Sequence, residues 1–271
     1  DVEQYLLGTT YSLFSATTKA GAEVGVYTYE PTEYVTVFSM TGAKLESFDG
    51  TGLEKASTIT VKEAGISSIT IPTENVRELI LDDNAFTEFS PAKYPNLVLL
   101  SMNHNSLSKI DLSQNKNLHV ASLGYNQLSE INLDNPNLWA LYMSNNLFET
   151  INLNGAKELQ QLDLGHNLLR TIDVSQLDKL LALAINQNYF TFSTLPYPKS
   201  TYAVYHYQDQ AKLDVAEIDG KIDLSSEAVV SDNNTEFTWF YGVPEMNDYG
   251  EWEGEILLID TEYTLENGVT T

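Results

Sequence analysis

The sequence predicts a β-solenoid with a β-rich segment at each end, and three observations support this fold class. A pattern of apolar residues recurs seven times at intervals of 20 or 21 residues, and six of the copies share one asparagine. Each copy begins with apolar and polar residues in alternation, as a strand with one buried face requires. The roughly ten residues left in each copy are too few for a full helix and two turns. The chain is therefore expected to coil once per copy, with extended segments on both sides.

The repeated unit follows the template LxxLxLxxNxL, and its positions are numbered from the first leucine. Six copies fit it closely, and a weaker one has Ala64 in place of the asparagine. Self-similarity at a fixed short period is the signature of stacked-repeat architectures. The template places a leucine-rich-repeat solenoid at about residues 56–195. Its units are Ala56–Ile66, Val76–Phe86, Leu97–Leu107, Leu118–Leu128, Leu138–Phe148, Leu159–Leu169 and Leu180–Phe190.

Positions four and six alternate with exposed positions, so their side chains should be buried between neighbouring coils. The inner strands are expected to be parallel and centred near position six, at Val61, Leu81, Met102, Leu123, Met143, Leu164 and Ile185. Position nine falls where the chain leaves the strand, and a buried amide there can pair with backbone groups that no strand reaches. A structural asparagine ladder is therefore predicted at Asn84, Asn105, Asn126, Asn146, Asn167 and Asn188.

The second half of each unit also alternates apolar and polar residues. Ile69-Thr70-Ile71 and Ile110-Asp111-Leu112 are examples of this pattern. It predicts an extended or strand-like convex side and a coil that is β-rich on both faces. Stacked coils cannot bury their end faces, so both ends of the array need caps.

The LxxLxLxxNxLxxIDLSxN unit resembles the short leucine-rich repeats of bacterial surface proteins, including internalin-like proteins. It is especially similar to secreted or lipid-anchored versions from Gram-negative gut bacteria. Members of that group often carry cysteine at position six, where this chain has Val, Leu, Met or Ile. The resemblance covers about half the chain and implies a leucine-rich-repeat fold and a protein or host-glycan ligand.

The flanks are predicted to be β-rich, which divides the chain into residues 1–53, 54–195 and 196–271. In the first part, Glu23–Tyr29, Tyr34–Ser39 and Ala43–Phe48 have strand-like sequences and are expected to cap the first coil. The segment Thr17–Val26 also resembles the β leader that precedes the repeats in the same group of surface proteins.

In the last part, Tyr197, Tyr202, Tyr205 and Tyr207 are expected to pack over the open end of the last coil. Strands are then predicted at Lys221–Val230, Thr235–Tyr241 and Glu255–Asp260. Trp239 is similar to the core tryptophan of immunoglobulin-like sandwiches, which often follow these repeats. A segment of about 75 residues is short for such a domain, whose usual size is ~100 residues, so an incomplete domain is one interpretation.

Composition excludes several classes of function. The chain has 38 acidic and 14 basic residues, a formal net charge of −24, and residues 195–271 hold 16 of the acids and 3 of the bases. A field of this sign disfavours nucleic acid and anionic lipid as partners.

Cysteine is absent, which excludes disulfides and zinc–thiolate sites. No apolar run approaches the ~18 residues of a transmembrane helix. A start at Asp1 fits a trimmed exported protein, with a lipid anchor upstream as one possibility, and a fragment boundary would look the same.

Motifs for catalysis, cofactors and metals are absent from the sequence. It has no Walker A, HExxH, GxSxG or EF-hand pattern, so no cofactor, metal or catalytic residue is predicted. His104 and His166 share position eight but lie three coils apart, about 14 Å at the usual strand spacing, too far to share a metal ion. The acidic stretch Glu245–Glu255 could chelate calcium, but its spacing matches no known loop and a solvated hairpin is favoured. A glycosidase using Glu78 and Asp82 receives little support, because two acids in neighbouring columns are common.

The concave face is the candidate binding site. Positions three, five, seven and eight should point out of the inner sheet, and in the middle coils they combine aromatic and hydrogen-bonding residues typical of recognition surfaces. Strand propensity alone would also favour valine and tyrosine there. The predicted ligand-binding residues are His104, Val120, Tyr125, Tyr142, Asn145, Asp163 and His166.

These patterns favour a non-catalytic cell-surface or secreted binding protein that recognises a protein or glycan on the concave face. The chain is expected to be exported, as an outer-membrane lipoprotein or otherwise, and monomeric. The alternative is a rigid spacer in an envelope assembly, with the acidic C-terminal part as its docking element.

Overall fold

The computed structural model describes residues 35–42, 44–191 and 193–211. It also describes the backbone of the strands within 11–28 and 217–270. Two compact units are present: one comprises residues 1–188 and 198–209, and the other residues 189–197 and 210–271. The division at 53/54 and 195/196 stays a prediction.

A nine-stranded parallel sheet forms the solenoid in the first unit. Each strand pairs with the next coil in a constant register, so that Leu100 is level with Leu79 and Ala121. In order across the sheet, the strands are β14 (Val204–His206), β13 (Ala182–Ala184), β12 (Gln161–Asp163), β11 (Ala140–Tyr142), β9 (Val120–Ser122), β7 (Leu99–Ser101), β6 (Glu78–Ile80), β5 (Thr58–Lys62) and β3 (Val37–Thr41). The described chain contains no α-helix. The predicted leucine-rich-repeat solenoid with a parallel inner sheet is thus confirmed.

The sheet has two strands beyond the seven predicted. β3 is paired parallel with β5, and with it Val35–Leu45 follows the template, with Phe38 and Met40 at positions four and six. β14 is paired parallel with β13. The repeat template did not detect these two coils, because one has no asparagine and the other has tyrosines at the leucine positions.

The tyrosines after residue 200 form a further coil, which is paired with the end of the β13 coil that they were expected to cover. Tyr202, Tyr205 and Tyr207 lie at positions one, four and six of the β14 coil, and the ring centroids of Tyr205 and Tyr207 are 5.0 Å apart. Burial and the neighbouring tyrosines raise the pKa of Tyr205 to about 12. Tyr197 is 61% exposed. A tyrosine can face both a coil and water, because its ring is apolar and its hydroxyl is polar.

The inner strands are centred about two residues earlier than expected. Leu100 rather than Met102 is at the centre of β7, although both side chains are fully buried. All seven residues predicted at position six are fully buried, as expected. The strand ends early because the chain must turn at position eight.

Position eight has a left-handed backbone in every coil of the sheet. The φ angle is 53° at His104, 55° at Tyr125 and 76° at Gly42. This turn directs the amide of position eight to the carbonyl of position seven in the next coil, as from His104 to Gly124 (3.0 Å). The other left-handed residues of the column are Glu63, Asp83, Asn145, His166, Gln187 and Asp209.

The return side is extended, as predicted. It contains the parallel strands β8 (Lys109–Asp111) and β10 (Glu130–Asn132), and the remaining coils pass without regular strand pairing. A 3-10 helix, Pro91–Lys93, interrupts the coil of β6.

The N-terminal part contains a second, antiparallel sheet. β1 (Tyr11–Thr18) pairs with β2 (Glu23–Thr28) on one side and with β4 (Leu45–Asp49) on the other. Strands near Glu23–Tyr29 and Ala43–Phe48 were predicted, whereas the predicted strand near Tyr34–Ser39 is β3 and belongs to the solenoid sheet.

The other unit contains short antiparallel strands. They are β15 (Glu217–Ile218), β16 (Lys221–Asp223), β17 (Val229–Val230), β18 (Asn233–Asn234), β19 (Phe240–Met246), β20 (Trp252–Ile256), β21 (Leu265–Glu266) and β22 (Val269–Thr270). β19 and β20 pair as a hairpin around the acidic stretch. Trp239 and residues 247–251 lie outside the described residues, and the immunoglobulin-like interpretation stays a prediction.

Candidate functional site

The side chains that point away from the coils at positions three, five, seven and eight form one surface, called the sheet face. It is the face predicted to be concave. Tyr125 is 52% exposed, and His104 and His166 are also exposed. Val120, Tyr142, Asn145 and Asp163 are half-buried. The solenoid therefore brings all seven predicted residues to four adjacent coils of one sheet.

His104 and Tyr125 form a ring pair on this face. Their centroids are 4.2 Å apart and their planes differ by 12°. Both occupy the left-handed position eight in adjacent coils, so the same backbone turn presents both rings in parallel. Stacking on His104 reduces the freedom that Tyr125 would lose on binding a partner, and a smaller ordering cost favours recognition.

Tyr142 and Asp163 form a second, polar part of the site. The Tyr142 hydroxyl donates a hydrogen bond to Oε1 of Gln161 in the next coil. Burial, and then the charge of Asp163, raise the pKa of Tyr142. One Asp163 oxygen accepts the amide of Gly165 (3.0 Å). The Tyr142 hydroxyl is thus neutral at physiological pH, and Asp163 is held in place beside it.

Five residues at predicted outward positions are in fact buried: Asp82, Ser101, Gly124, Ala140 and Gly165. Ser101 is 9% exposed and Ala140 is fully buried. The sheet face is therefore a set of separate exposed groups rather than an evenly exposed surface.

A hydrogen-bonded carboxylate network, which the sequence analysis missed, lies next to the ring pair. Asp82 is 8% exposed, pairs with Lys62 (3.2 Å) and accepts from the Ser101 hydroxyl (2.6 Å) and the Asn103 amide (2.9 Å). The Asn103 side chain in turn accepts the amide of Gly124 (2.8 Å). Lys62, Asp82 and Asn103 occupy position seven in three consecutive units, and that column was the available signal.

The sequence analysis also missed two apolar side chains beside the sheet face. Trp139 is 37% exposed and Leu181 is 45% exposed, and both occupy position two, at the start of their strands. Exposed large apolar groups next to polar ones are typical of the contact surface of a binding protein.

The six asparagines at position nine connect neighbouring coils. Asn126, for example, accepts the amide of Leu107 (3.0 Å) and donates to the carbonyls of Met102 (2.9 Å), Leu123 (3.1 Å) and Gly124 (3.2 Å). The other five repeat this pattern, and Asn84 accepts two amides of the β5 coil. All four bonds lie inside the solenoid, so these residues face coils rather than ligand.

Among the described residues, no group of three or more histidines and carboxylates is placed to hold a metal ion. The described chain also has no helix with the length and apolarity needed to span a membrane.

Comparison with known proteins finds similarity to solved leucine-rich-repeat structures. No protein-family model and no curated protein matches the chain. A leucine-rich-repeat protein of Leptospira interrogans is 22% identical over 52% of this chain and 45% of its own, with a TM-score of 0.40. The functional domain of InlJ from Listeria monocytogenes, which includes a cysteine ladder, is 18% identical over 82% of this chain and 65% of its own (TM-score 0.38). The internalin InlF of the same species is 14% identical over 72% and 86% (TM-score 0.31). The chain spans less than half of the Leptospira protein. Two of these structures are internalins and one is a bacterial leucine-rich-repeat protein, and the fold of this chain rests on the coil geometry described above.

Proposed function

We propose that this chain is a binding protein without catalytic activity and that its sheet face recognises a partner protein outside the cell. The observation that carries the proposal is the exposed His104–Tyr125 ring pair beside Tyr142 and Asp163 on one rigid sheet. Aromatic residues with polar neighbours are enriched among the residues that dominate binding energy. A rigid sheet presents them with little ordering cost.

The spacing of these groups favours a partner of protein size. From the coil of Tyr125 to that of Asp163 there are two coil steps, or ~10 Å. Exposed Trp139 and Leu181 lie beside the same coils and enlarge the apolar contact area. Stable protein interfaces cover ~800 Å² on each partner, which requires contacts spread over several coils. A glycan is the second ligand class and would use fewer of these groups.

Charge adds a preference for a basic partner. The exposed carboxylates of the sheet face include Glu63, Glu78 and Asp83, whereas Lys62 is occupied by Asp82. Complementary charge speeds association and suppresses wrong partners.

The test is capture of host surface proteins on the immobilised full chain, with a glycan array in parallel. The double substitution Tyr125→Ala/Tyr142→Ala should lower the affinity for the captured protein at least about tenfold, because aromatic anchors contribute ~2 kcal/mol or more. The matched control is Leu147→Ala, which removes a side chain 47% exposed at position ten and should leave affinity unchanged. Tyr142→Phe separates the ring from its hydrogen bond to Gln161, and thermal melting verifies that each variant is folded.

The opposite result would favour the spacer hypothesis. In that case the double variant binds normally, and charge reversal at Glu253 and Glu255 in the acidic hairpin abolishes binding. If the chain binds on the glycan array but captures no protein, the sheet face stays the proposed site and its ligand is a glycan instead of a protein.

A further inference from the structure

The return side of the solenoid contains a groove of about 620 Å³ on the side of the coil away from the sheet face. Ser68 and Ile69 of the β5 coil line one wall, and β8 together with β10 lines the other. Phe86, Phe89 and Tyr94 of the intervening β6 coil line its bottom.

The groove exists because the β6 coil departs from the repeat. At positions fourteen to sixteen it has Phe89-Ser90-Pro91, where its neighbours have Ile69-Thr70-Ile71 and Ile110-Asp111-Leu112. Proline has no amide to donate, and here it begins the 3-10 helix. The amide of Tyr94 then bonds to the Pro91 carbonyl (2.8 Å). The β7 coil makes the equivalent turn bond, from the Asn115 amide to the Leu112 carbonyl (2.9 Å), so the β6 coil differs in its proline and 3-10 helix and has no strand on the return side.

One wall of the groove is an unpaired strand edge. The Ser108 carbonyl accepts the amide of Ser129, and the Leu112 amide donates to Asn132, so even-numbered residues face β10. Alternate residues of a parallel strand direct their backbone groups to opposite sides. Those of Lys109 and Asp111 therefore face the groove, and within the described ranges β8 has β10 as its single strand neighbour.

The opposite wall is an edge of the same kind. Thr70 exchanges backbone hydrogen bonds with Phe48 (3.3 Å) and Gly50 (2.7 Å), on the β4 side. By the same alternation, the backbone groups of Ile69 and Ile71 face the groove. The two edges are two coils apart, ~9.6 Å, which is the separation that one intervening strand occupies.

The bottom and the rim indicate which side chains the groove accepts. Phe89 stacks on Tyr94 with centroids 5.7 Å apart and planes 5° apart, and meets Phe86 edge-on at 5.9 Å. This aromatic surface suits one apolar side chain. The exposed rim has both signs of charge, from Glu88, Lys93, Lys109, Asp111 and Glu130.

We propose that this groove is a second binding site, which takes a short extended peptide segment of a partner protein as an added strand beside β8. The peptide backbone pairs with Lys109 and Asp111, and one apolar side chain packs on Phe89 and Tyr94. In strand addition, backbone hydrogen bonds supply affinity and alternate side chains supply specificity, and the groove provides both.

The probe is a phage-displayed library of random nine-residue peptides selected on the intact chain. Hydrogen exchange of the free chain should show fast amides at Lys109 and Asp111 and slow ones at Ile110 and Leu112. An enriched synthetic peptide should slow exchange at Lys109 and Asp111 at least about tenfold, because a new strand protects edge amides. Slow exchange at Lys109 and Asp111 without peptide would show that the edge is already paired and would overturn the proposal.

A pair of substitutions separates backbone from side chain. Lys109→Pro removes the edge amide, a change that an edge strand tolerates. It should lower the affinity for the peptide at least about tenfold. Lys109→Ala keeps that amide and should change affinity less than about threefold, because exposed charges contribute little. Phe89→Ala should also weaken binding, and melting curves verify folding. Three outcomes would each overturn strand addition. They are an equal loss of affinity in both Lys109 variants, selected peptides whose binding depends on Tyr125 instead, and a library that yields no peptide.

Discussion

At the scale of single residues, the asparagine of position nine connects each coil to the one before it. The ordering cost of an extended coil is offset only if its buried carbonyls and amides are paired. Asn126 pairs four of them and is 9% exposed. Its side chain thus replaces the pairing that strands cannot supply where the chain turns.

Asn126→Ala should lower the free energy of unfolding by ~1–3 kcal/mol, since it leaves buried backbone groups unpaired in a central coil. Chemical denaturation of the full chain measures the effect. Ser122→Ala on the same coil is half-buried and should cost less than about 0.5 kcal/mol. Equal unfolding midpoints for the two variants would contradict the structural role of Asn126.

At the scale of the coil, the left-handed turn at position eight is the element on which stacking and the proposed binding site both depend. It aligns the amide of each coil with the next, and it presents His104 and Tyr125 as a ring pair. Left-handed backbone costs ~1–2 kcal/mol in residues other than glycine. The chain nevertheless has glycine in this column only at Gly42. Eight of the nine position-eight residues in the described coils therefore carry a side chain despite this backbone cost.

Gln187, with φ of 52°, tests this account of the turn. Gln187→Gly should leave stability unchanged or raise it by up to ~1 kcal/mol, because glycine adopts this backbone without strain. Gln187→Val should destabilise by more than ~1 kcal/mol, because a β-branched side chain rarely adopts positive φ. The same pair at Ala182 in β13 should rank in the opposite order, since glycine weakens a strand and valine favours one. An identical ranking at both sites, by denaturation, would contradict the prediction.

At the scale of the whole molecule, charge is the dominant feature. The net charge is −24, so the acidic side chains repel one another in the compact state, and basic partners are favoured. The ion pairs among the described residues include Lys62–Asp82, Lys116–Asp134 and Lys179–Glu158, and the last two are exposed. Exposed pairs contribute ~0–1 kcal/mol each, so they offset little of the repulsion.

Raising sodium chloride from 0.01 to 0.15 M should therefore raise the melting temperature by a few degrees. The screening length falls from ~30 to ~8 Å over this range, which weakens long-range repulsion more than contact pairs. Scanning calorimetry of the full chain measures the shift, with sucrose at matched osmolality as the control. A melting temperature that falls with salt would mean that local ion pairs outweigh the repulsion.

The sequence by itself determined the period, the buried positions and the asparagine column. These follow from a pattern within each unit, because positions four, six and nine face the interior whatever the neighbouring coil contains. Leu100, Met102 and Asn126 are therefore where the repeat predicted them. The composition also determined that any partner meets a strongly acidic molecule.

Only the tertiary structure decided the two added strands, the Asp82 network, the burial of Ala140 and the groove beside β8. Each depends on contacts between residues about one coil apart in the chain, such as Asp82 with Asn103. Some residues preserve the coil geometry but do not match the template, as the tyrosines of the last coil do. Such a coil cannot be recognised as a repeat from its sequence. Pro91, conversely, alters the pairing of the coils on both sides of its own, and no single unit reveals that. Stacking supplies the neighbours on which these features depend, so they appear only once the coils are assembled.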